Sequence, residues 1–377
     1  MRWIALVFIA TLPPAFAGTK EIDAALATIK AVGKEGSGND AAAVAWKTLA
    51  AEGVPAFVPT LTAFKDASPN AANWLRSAVD AIVEAETRAG RKLSPDTLKA
   101  FALDSQQSPD ARRIAFELFE KLSPDAAKEI VVGMVNDPSL DLRRDAIARR
   151  IALTPEGLEK LLEPLFAAAR DRDQVEELAK KLKLSSNDIV SHFNFVTRWH
   201  IVGPFDGPNT SGFANKYEPE NGVDLKATYD GKGGKKIAWK TTGTKELTEQ
   251  GEKDYSLVDL VKEIGVHKDA VAFAYAVIEV EKETPVDLRA ASQNGIKIFL
   301  NGKSVFERDA YHQGTMMDQH KGKGILKAGK NELLLKICQN DQKEPWSQRW
   351  VFQARVCDST GGKVPMTLVS PASTEVK

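Results

Sequence analysis

The sequence predicts an α plus β multidomain chain, with an irregular α-solenoid first and an antiparallel β-sandwich second. Three observations carry this. From Ile22 to about Ser191 the chain is rich in Ala, Leu, Glu, Lys and Arg, with apolar residues at helical spacing. After Trp199, Gly, Pro, Asn and aromatic residues rise and helical spacing disappears. Finally, Ile296, Ile298 and Leu300 alternate with Lys297 and Phe299 and run into Asn301-Gly302. Period-two alternation ending in Asn-Gly is the strongest short-range hairpin signal, because both turn positions need positive φ. The implied division is a signal peptide over 1–17, a helical repeat domain over 18–195, a β-sandwich over 196–360 and a flexible tail over 361–377.

The N-terminus reads as a targeting segment. Arg2 is a short positive region, Trp3 to Leu12 an apolar run, and Ala15-Phe16-Ala17 a small-x-small cleavage pattern. The run is shorter than the roughly 20 residues that span a bilayer, and Pro13-Pro14 interrupts it. Cleavage after Ala17 and export to a periplasmic or extracellular space are expected, with no membrane span afterwards.

In the helical half, Ser68-Pro69, Ser94-Pro95, Ser108-Pro109, Ser123-Pro124, Asp137-Pro138 and Thr154-Pro155 are breaks. A small oxygen-bearing residue before Pro signals an N-cap followed by a first helical turn. Ile114, Leu118, Phe119 and Leu122 make one apolar stripe; Val131, Met134 and Val135 make another. The basic runs Arg91-Lys92, Arg143-Arg144 and Arg149-Arg150 read as solvated helix faces. Asp137-Pro138 through Leu142-Arg143-Arg144 to Ala146-Ile147 resembles the start of a HEAT-type repeat, in which Asp-Pro caps a helix and the apolar-Arg pair packs it on its neighbour. Ser68 to Ile82 and Ser108 to Leu118 are looser copies. Such repeats imply a concave face for a protein partner; the plain alternative is a helical bundle without a binding role.

In the β half, Val271 to Val280 is a nearly continuous apolar run, expected as a central strand, with Val286 to Ala290 pairing next. Tyr255 to Ile264 reads as a short helix or a strand followed by one. Leu333, Leu335 and Ile337 point one way and Glu332, Leu334 and Lys336 the other; Trp350, Phe352, Ala354 and Val356 form a further apolar face. NGIKIFLNGKSV, LKAGKNELLLKI, the closing WVFQARV and the opening WHIVGPFD resemble the jelly-roll domains of the galactose-binding-domain-like class, many of which are carbohydrate-binding modules. The resemblance covers about 198–358 and rests on turn and core residues. It implies the jelly roll and, more loosely, a carbohydrate ligand.

Lys plus Arg and Asp plus Glu both total 51. A chain without a basic excess lacks the field that neutralises phosphates, so nucleic acid is not an expected partner. No His-Glu-x-x-His, Gly-x-Ser-x-Gly or phosphate-binding Gly loop occurs. Asp206, Glu218, Glu220, Asp254, Asp309 and Asp318 are the carboxylates from which a glycosidase pair would be drawn, but sequence does not pair them in space. The expected function is non-catalytic and exported: a jelly roll recognising an extracytoplasmic polysaccharide, on a helical scaffold for protein contacts. A purely structural or interaction scaffold, or an unrecognised carbohydrate-active enzyme, are the alternatives.

The candidate binding residues lie in two loops. Tyr311 and His312 offer ring faces, Gln313 and Asp318 hydrogen bonds, and Trp346 with Arg349 a stacking platform; a rim residue closing the core is the other reading of Trp346. His312, Asp318 and His320 are also a candidate zinc-type set, and Asp318 with nearby carbonyls a candidate structural calcium site, against a plain polar loop. No other cofactor is implied. Cys338 and Cys357 are the only cysteines. Their parity points both away from the core faces, and the loop 340–349 makes their strands expected neighbours. A Cys338–Cys357 disulfide is therefore expected in an oxidising compartment, with two free thiols as the alternative.

Overall fold

The computed structural model describes residues 17–249 and 252–369; the segment expected as a signal peptide lies almost wholly outside them. The chain divides into two compact units, 1–158 and 159–377.

The first unit is helical. Its elements are α1 (Ala17–Lys30), α2 (Asn39–Glu52), α3 (Val54–Thr62), α4 (Pro69–Arg88), α5 (Pro95–Leu103), α6 (Pro109–Leu122), α7 (Pro124–Val131) and α8 (Leu140–Leu153). Four begin at a Ser-Pro step. Ser68 and Ser94 cap by accepting the amides of Ala71 and Thr97, which satisfies donors that the first turn leaves unpaired. Neighbours pack in chain order, α1 on α2, α5 on α6 and α6 on α7, with α2 also on α4. Their buried stripes, Leu49, Leu75, Val79, Ile82, Ile114, Phe116 and Leu142 among them, form one core.

Two expectations change here. Asp137 does not cap α8, whose N-cap is Ser139. Its carboxylate instead takes both Arg112 guanidinium nitrogens, at 2.7 and 2.6 Å, and the Ser139 amide. Arg143 is not a solvated residue. It is buried and donates to the carbonyls of Asp137 and Asn136. The turn before α8 leaves those carbonyls without helical partners, and the guanidinium supplies them. Thr154-Pro155 opens no helix: Thr154 closes α8.

The second unit begins with three short helices, α9 (Glu163–Ala168), α10 (Arg172–Leu182) and α11 (Ser186–Phe193). Strands follow: β1 (Arg198–Asp206), β2 (Thr228–Asp230), β3 (Lys236–Ala238), β4 (Lys240–Gly243), β5 (Lys245–Glu249), β6 (Glu252–Asp259), β7 (Ala270–Val280), β8 (Thr284–Ala291), β9 (Ile296–Leu300), β10 (Lys303–Arg308), β11 (His320–Leu326), β12 (Gly329–Gln339), β13 (Val351–Cys357) and β14 (Thr367–Val369), with helix α12 (Leu260–Ile264) after β6. Every pairing among the described residues is antiparallel. One sheet runs β10-β9-β12-β7-β1-β4 with β14 added to β7, a second runs β11-β8-β13-β6-β5, and β2 pairs β3.

The change of periodicity near 195 and the compact division after 158 are thus different boundaries. Helices α9–α11 belong with the sheets because polar groups tie them there. Tyr255 on β6 donates to Glu176 on α10 at 3.0 Å, and Asn194, the left-handed cap of α11, donates to the carbonyls of Val356 and Val364.

β7 is the central strand, hydrogen-bonded along its length to β12 and over 270–275 to β1. Its run is apolar on both faces because both are covered. Ala270, Ala272, Ala274, Ala276 and Ile278 face a core shared with Leu288, Phe352 and Val356 of the second sheet and with Trp350, just before β13. Val271, Phe273, Tyr275 and Val277 face a separate outer cluster with Phe205, Tyr229 and Cys338. Lys336, fully buried, clamps the covering segment: its ammonium reaches Glu220 at 3.0 Å and the carbonyls of Phe213 and Asn215. β8 does not pair next to β7. It crosses to the second sheet, between β11 and β13.

At the hairpin, Asn301 and Gly302 have φ of 49° and 75°, the left-handed pair that a two-residue turn requires. The Asn301 side chain donates to Asn331 and accepts the Glu332 amide, joining the turn to β12. Of the stretch expected as a free tail, 361–369 is held. The Gly361 carbonyl accepts from Arg355, Val364 is buried, and β14 pairs with β7; 370–377 lie outside the described residues.

The expected disulfide is absent. Cys338 and Cys357 are free and buried. β12 and β13 do not form a hairpin: the loop 340–349 carries the chain from one sheet to the other. Each thiol does point away from the shared core, but on opposite outer faces, Cys338 among the outer aromatics and Cys357 against the Asp287 carbonyl.

Candidate functional site

The loops 309–319 and 340–349 meet at one end of the sheets. Trp346 sits on a single 3₁₀ turn, Pro345–Gln348, and is 61% exposed. Core closure, the other role open to it, belongs to Trp350, which is fully buried. The His312 ring stands edge-on to the Trp346 indole, centroids 5.0 Å apart at 79°. His312 is itself held in a left-handed conformation, φ 58°, with Nε2 3.1 Å from Asn340 Oδ1.

The platform is anchored from below. The Arg349 carbonyl accepts the side-chain amides of Gln293 at 2.7 Å and Asn294 at 3.0 Å. The buried Ser347 receives the Lys268 ammonium on its carbonyl and hydroxyl, at 2.7 and 2.8 Å. Burial pulls the Lys268 pKa down. The Arg349 guanidinium reaches Asp254 at 3.4 Å. Gln313 is exposed, its amide bonded to the Gln293 carbonyl and its Oε1 3.3 Å from Arg308. The short Pro-started turn thus carries an open aromatic on a base of satisfied backbone carbonyls. That rigidity lowers the ordering cost of a binding event.

Not every candidate lies there. Tyr311 is half-buried against the outer cluster, and burial pushes its hydroxyl pKa up. Met316, further along the same loop, is exposed. Asp318 turns away into an ion cluster on the outer face of the second sheet. Arg355 Nε and Nη2 each lie 2.6 Å from its two oxygens, and Arg289 Nη1 lies 2.8 Å away. Arg289 also holds Asp287 at 3.0 Å. Burial pushes the Asp318 carboxyl up, but hydrogen bonds and charge from Arg355 and then Arg289 outweigh it, so it stays below the ordinary carboxylate range. His320 is buried against Phe306, with Nε2 3.3 Å from the Ser292 carbonyl, and burial lowers its pKa.

The metal set is therefore not assembled. Asp318 lies between two guanidiniums, whose charge opposes a cation at its oxygens, and this does not fit zinc or calcium. Among the described residues no group of three His, Cys, Asp or Glu side chains is arranged to hold a metal. The carboxylates considered for glycoside cleavage are dispersed: Asp206 pairs with Lys232, Glu220 with Lys336, Asp254 with Arg349 and Asp318 with the arginines. Anchors that sequence reasoning missed are Gln293, Asn294, Lys268 and Ser347. Their only signal is the polar run Ser292-Gln293-Asn294 between two strands.

No family model matches this sequence, and no curated protein does. Solved structures similar to parts of it include a family 35 carbohydrate-binding module from an environmental isolate, 12% identical, covering 34% of this chain and 91% of that one at a TM-score of 0.23. The PA14 domain of the MpAFP antifreeze protein is 11% identical over 26% of this chain and 47% of that chain, with a TM-score of 0.20. An anti-sigma factor domain-containing protein from Clostridium clariflavum is 10% identical over 47% and 45%, with a TM-score of 0.23. Likenesses of this size carry no argument about ligand. Among the described residues no helix is long and apolar enough to cross a membrane.

Proposed function

We propose that this chain is a non-catalytic, exported binding protein whose β unit, read as a jelly-roll sandwich, holds a carbohydrate against Trp346. The observation that carries the reading is the exposed indole fixed edge-on by His312 above an anchored turn. A sugar ring presents C–H groups on its faces and hydroxyls round its edge. An open indole covers the first, and side chains such as Gln313 and the Arg349 guanidinium offer partners for the second. Pre-organised aromatic surface with a few placed polar groups is the usual composition of a small-ligand site. The N-terminal pattern supports export, which would give such a site access to an extracytoplasmic polysaccharide.

Affinity electrophoresis through gels containing neutral polysaccharides tests this directly. Retardation of the wild type in at least one gel, lost in Trp346→Ala and weakened in His312→Ala, is expected. A Trp346→Ala chain retarded like wild type would overturn the assignment.

A second reading rests on a different observation. In the helical unit, two adjoining clefts of about 450 and 400 Å³ share Asn73 on α4, one lined by Arg76, Arg113 and Glu117, the other by Trp74, Asn39 and Asn70. Two neighbouring polar clefts of this kind support a protein-contact role for the helical array, read as HEAT-like. Co-purification of one protein with residues 17–158, lost on Asn73→Arg, would support it.

A further inference from the structure

A cavity of about 500 Å³ lies between α9, α10 and α11 of the second unit, well away in sequence from the Trp346 loops. Its size is within the range of small-molecule sites, roughly 300–1,000 Å³. The wall is apolar: Phe166 on α9, Leu182 at the end of α10 and Leu184 just beyond it. Leu184 is 37% exposed, so apolar surface is left facing solvent at the mouth. The reason is local. Lys183 ends α10 in a left-handed conformation, and Leu184 falls in the short link before α11.

His192 forms another part of the wall. Its Nε2 lies 3.0 Å from the Ala169 carbonyl, which only accepts, so Nε2 carries the hydrogen. Burial first, and then the charges of Arg170, Arg355 and Lys363, outweigh the Ala169 hydrogen bond and lower its pKa to about 4. The ring is therefore uncharged at neutral pH, and it is tilted at 47° to the Phe166 ring with centroids 4.7 Å apart.

One cation stands at this wall with no anion beside it. The Lys363 ammonium donates to the Ser191 hydroxyl at 2.9 Å, and among the described residues no carboxylate pairs with it. Of the two carboxylates at the cavity, Asp188 is committed to the amide and hydroxyl of Ser185 in the α11 capping box. Glu163, at the start of α9, has no partner among the described residues.

We propose that this cavity takes a small amphiphile, an apolar body with an anionic head, with the body against Phe166, Leu182 and Leu184 and the head on Lys363. The neutral His192 ring adds no charge of its own to the wall, and Lys363 has two ammonium hydrogens left to donate to an anionic head. Glu163 opposes such a head and sets the polarity of the test. This site is independent of the carbohydrate reading, because none of its residues touches the Trp346 platform.

The test is calorimetric titration of the full chain with octanoate and, separately, octanol, both below their aggregation limits. Saturable one-site binding is expected, with octanoate tighter than octanol. Lys363→Gln should lower octanoate affinity at least fivefold and leave octanol unchanged, while Glu163→Gln should raise octanoate affinity. Leu184→Asp, at an exposed position that folding tolerates, should weaken both ligands, with thermal melting confirming a folded chain. Absence of saturable octanoate binding, octanoate affinity unaltered in Lys363→Gln, or binding untouched by Leu184→Asp would each overturn the proposal.

Discussion

The loop 309–319 has two ends with opposite fates. At the first, His312 stands at the surface against an exposed Trp346, bonded to the neutral side chain of Asn340. At the other, Asp318 is sunk between Arg289 and Arg355, whose side chains are 8% and 2% exposed. The first end leaves an aromatic face unsatisfied and open to a ligand. The second spends its carboxylate on two guanidiniums. The lesson is that polar residue types do not mark a site. A carboxylate locked between two buried guanidiniums is structure; an exposed ring held by its neighbours is surface available for recognition.

This contrast breaks most readily at Asp318. Asp318→Asn leaves the buried Arg355 guanidinium without its carboxylate and Arg289 with Asp287 alone, and should cost about 3–5 kcal/mol, the scale of a broken buried ion pair. Chemical denaturation at pH 7 measures it, and a loss below 1 kcal/mol would contradict the described cluster. The sign with pH follows from the lowered Asp318 pKa. Its stabilisation is present above the unfolded value of about 3.9 and is lost as pH falls through the folded one. Wild-type stability should therefore decline more steeply below pH 4 than that of Asp318→Asn.

A turn distant from both ends supplies the next scale. Gly302→Val forces a β-branched residue into φ 75° and should destabilise by about 1–3 kcal/mol. Melting unchanged from wild type would remove the positive-φ argument for this hairpin.

Trp346→Ala sharpens the other side of the comparison. Because the indole is mostly exposed, melting should move by no more than about 0.5 kcal/mol. Carbohydrate retention should nonetheless fall at least about tenfold, or 1.4 kcal/mol. Equal losses of stability and binding would make Trp346 a structural residue like Asp318.

The smallest effect is expected at the thiols. Burial pushes Cys338 up to about 12 and raises Cys357, so neither supplies thiolate at neutral pH. Iodoacetamide should leave the native protein unmodified and alkylate both thiols after denaturation without reductant, as intact mass reads. A denatured, unreduced chain refusing both labels would restore the disulfide.

Much of the local structure was legible because it is decided locally. Ser68 and Ser94 before Pro begin helices, since their hydroxyls reach amides three residues on. Asn301-Gly302 turns the chain because few other pairs tolerate two positive φ values. The alternation of β9 and β12 places Ile296, Ile298, Leu333 and Leu335 in the core that their period demands. What the residues at 338 and 357 face was readable too, as parity relative to the core.

Partners across sequence distance were not legible. Whether β8 follows β7 in one sheet or crosses to the other depends on which sheet can bury its inner face, and no short-range pattern records that. The same crossover, made again by 340–349, separates the two cysteines that parity and loop length alone would have joined. Arg143 is charged and helical, hence solvated by any local rule; only the loop carbonyls folded over it make it a buried donor. By itself, then, the sequence determined helices, strands, turns and faces, which depend on neighbours along the chain. Tertiary structure alone decided which of the loop's polar residues would be neutralised in an ion cluster and which would remain open beside Trp346, because desolvation and pairing depend on neighbours in space.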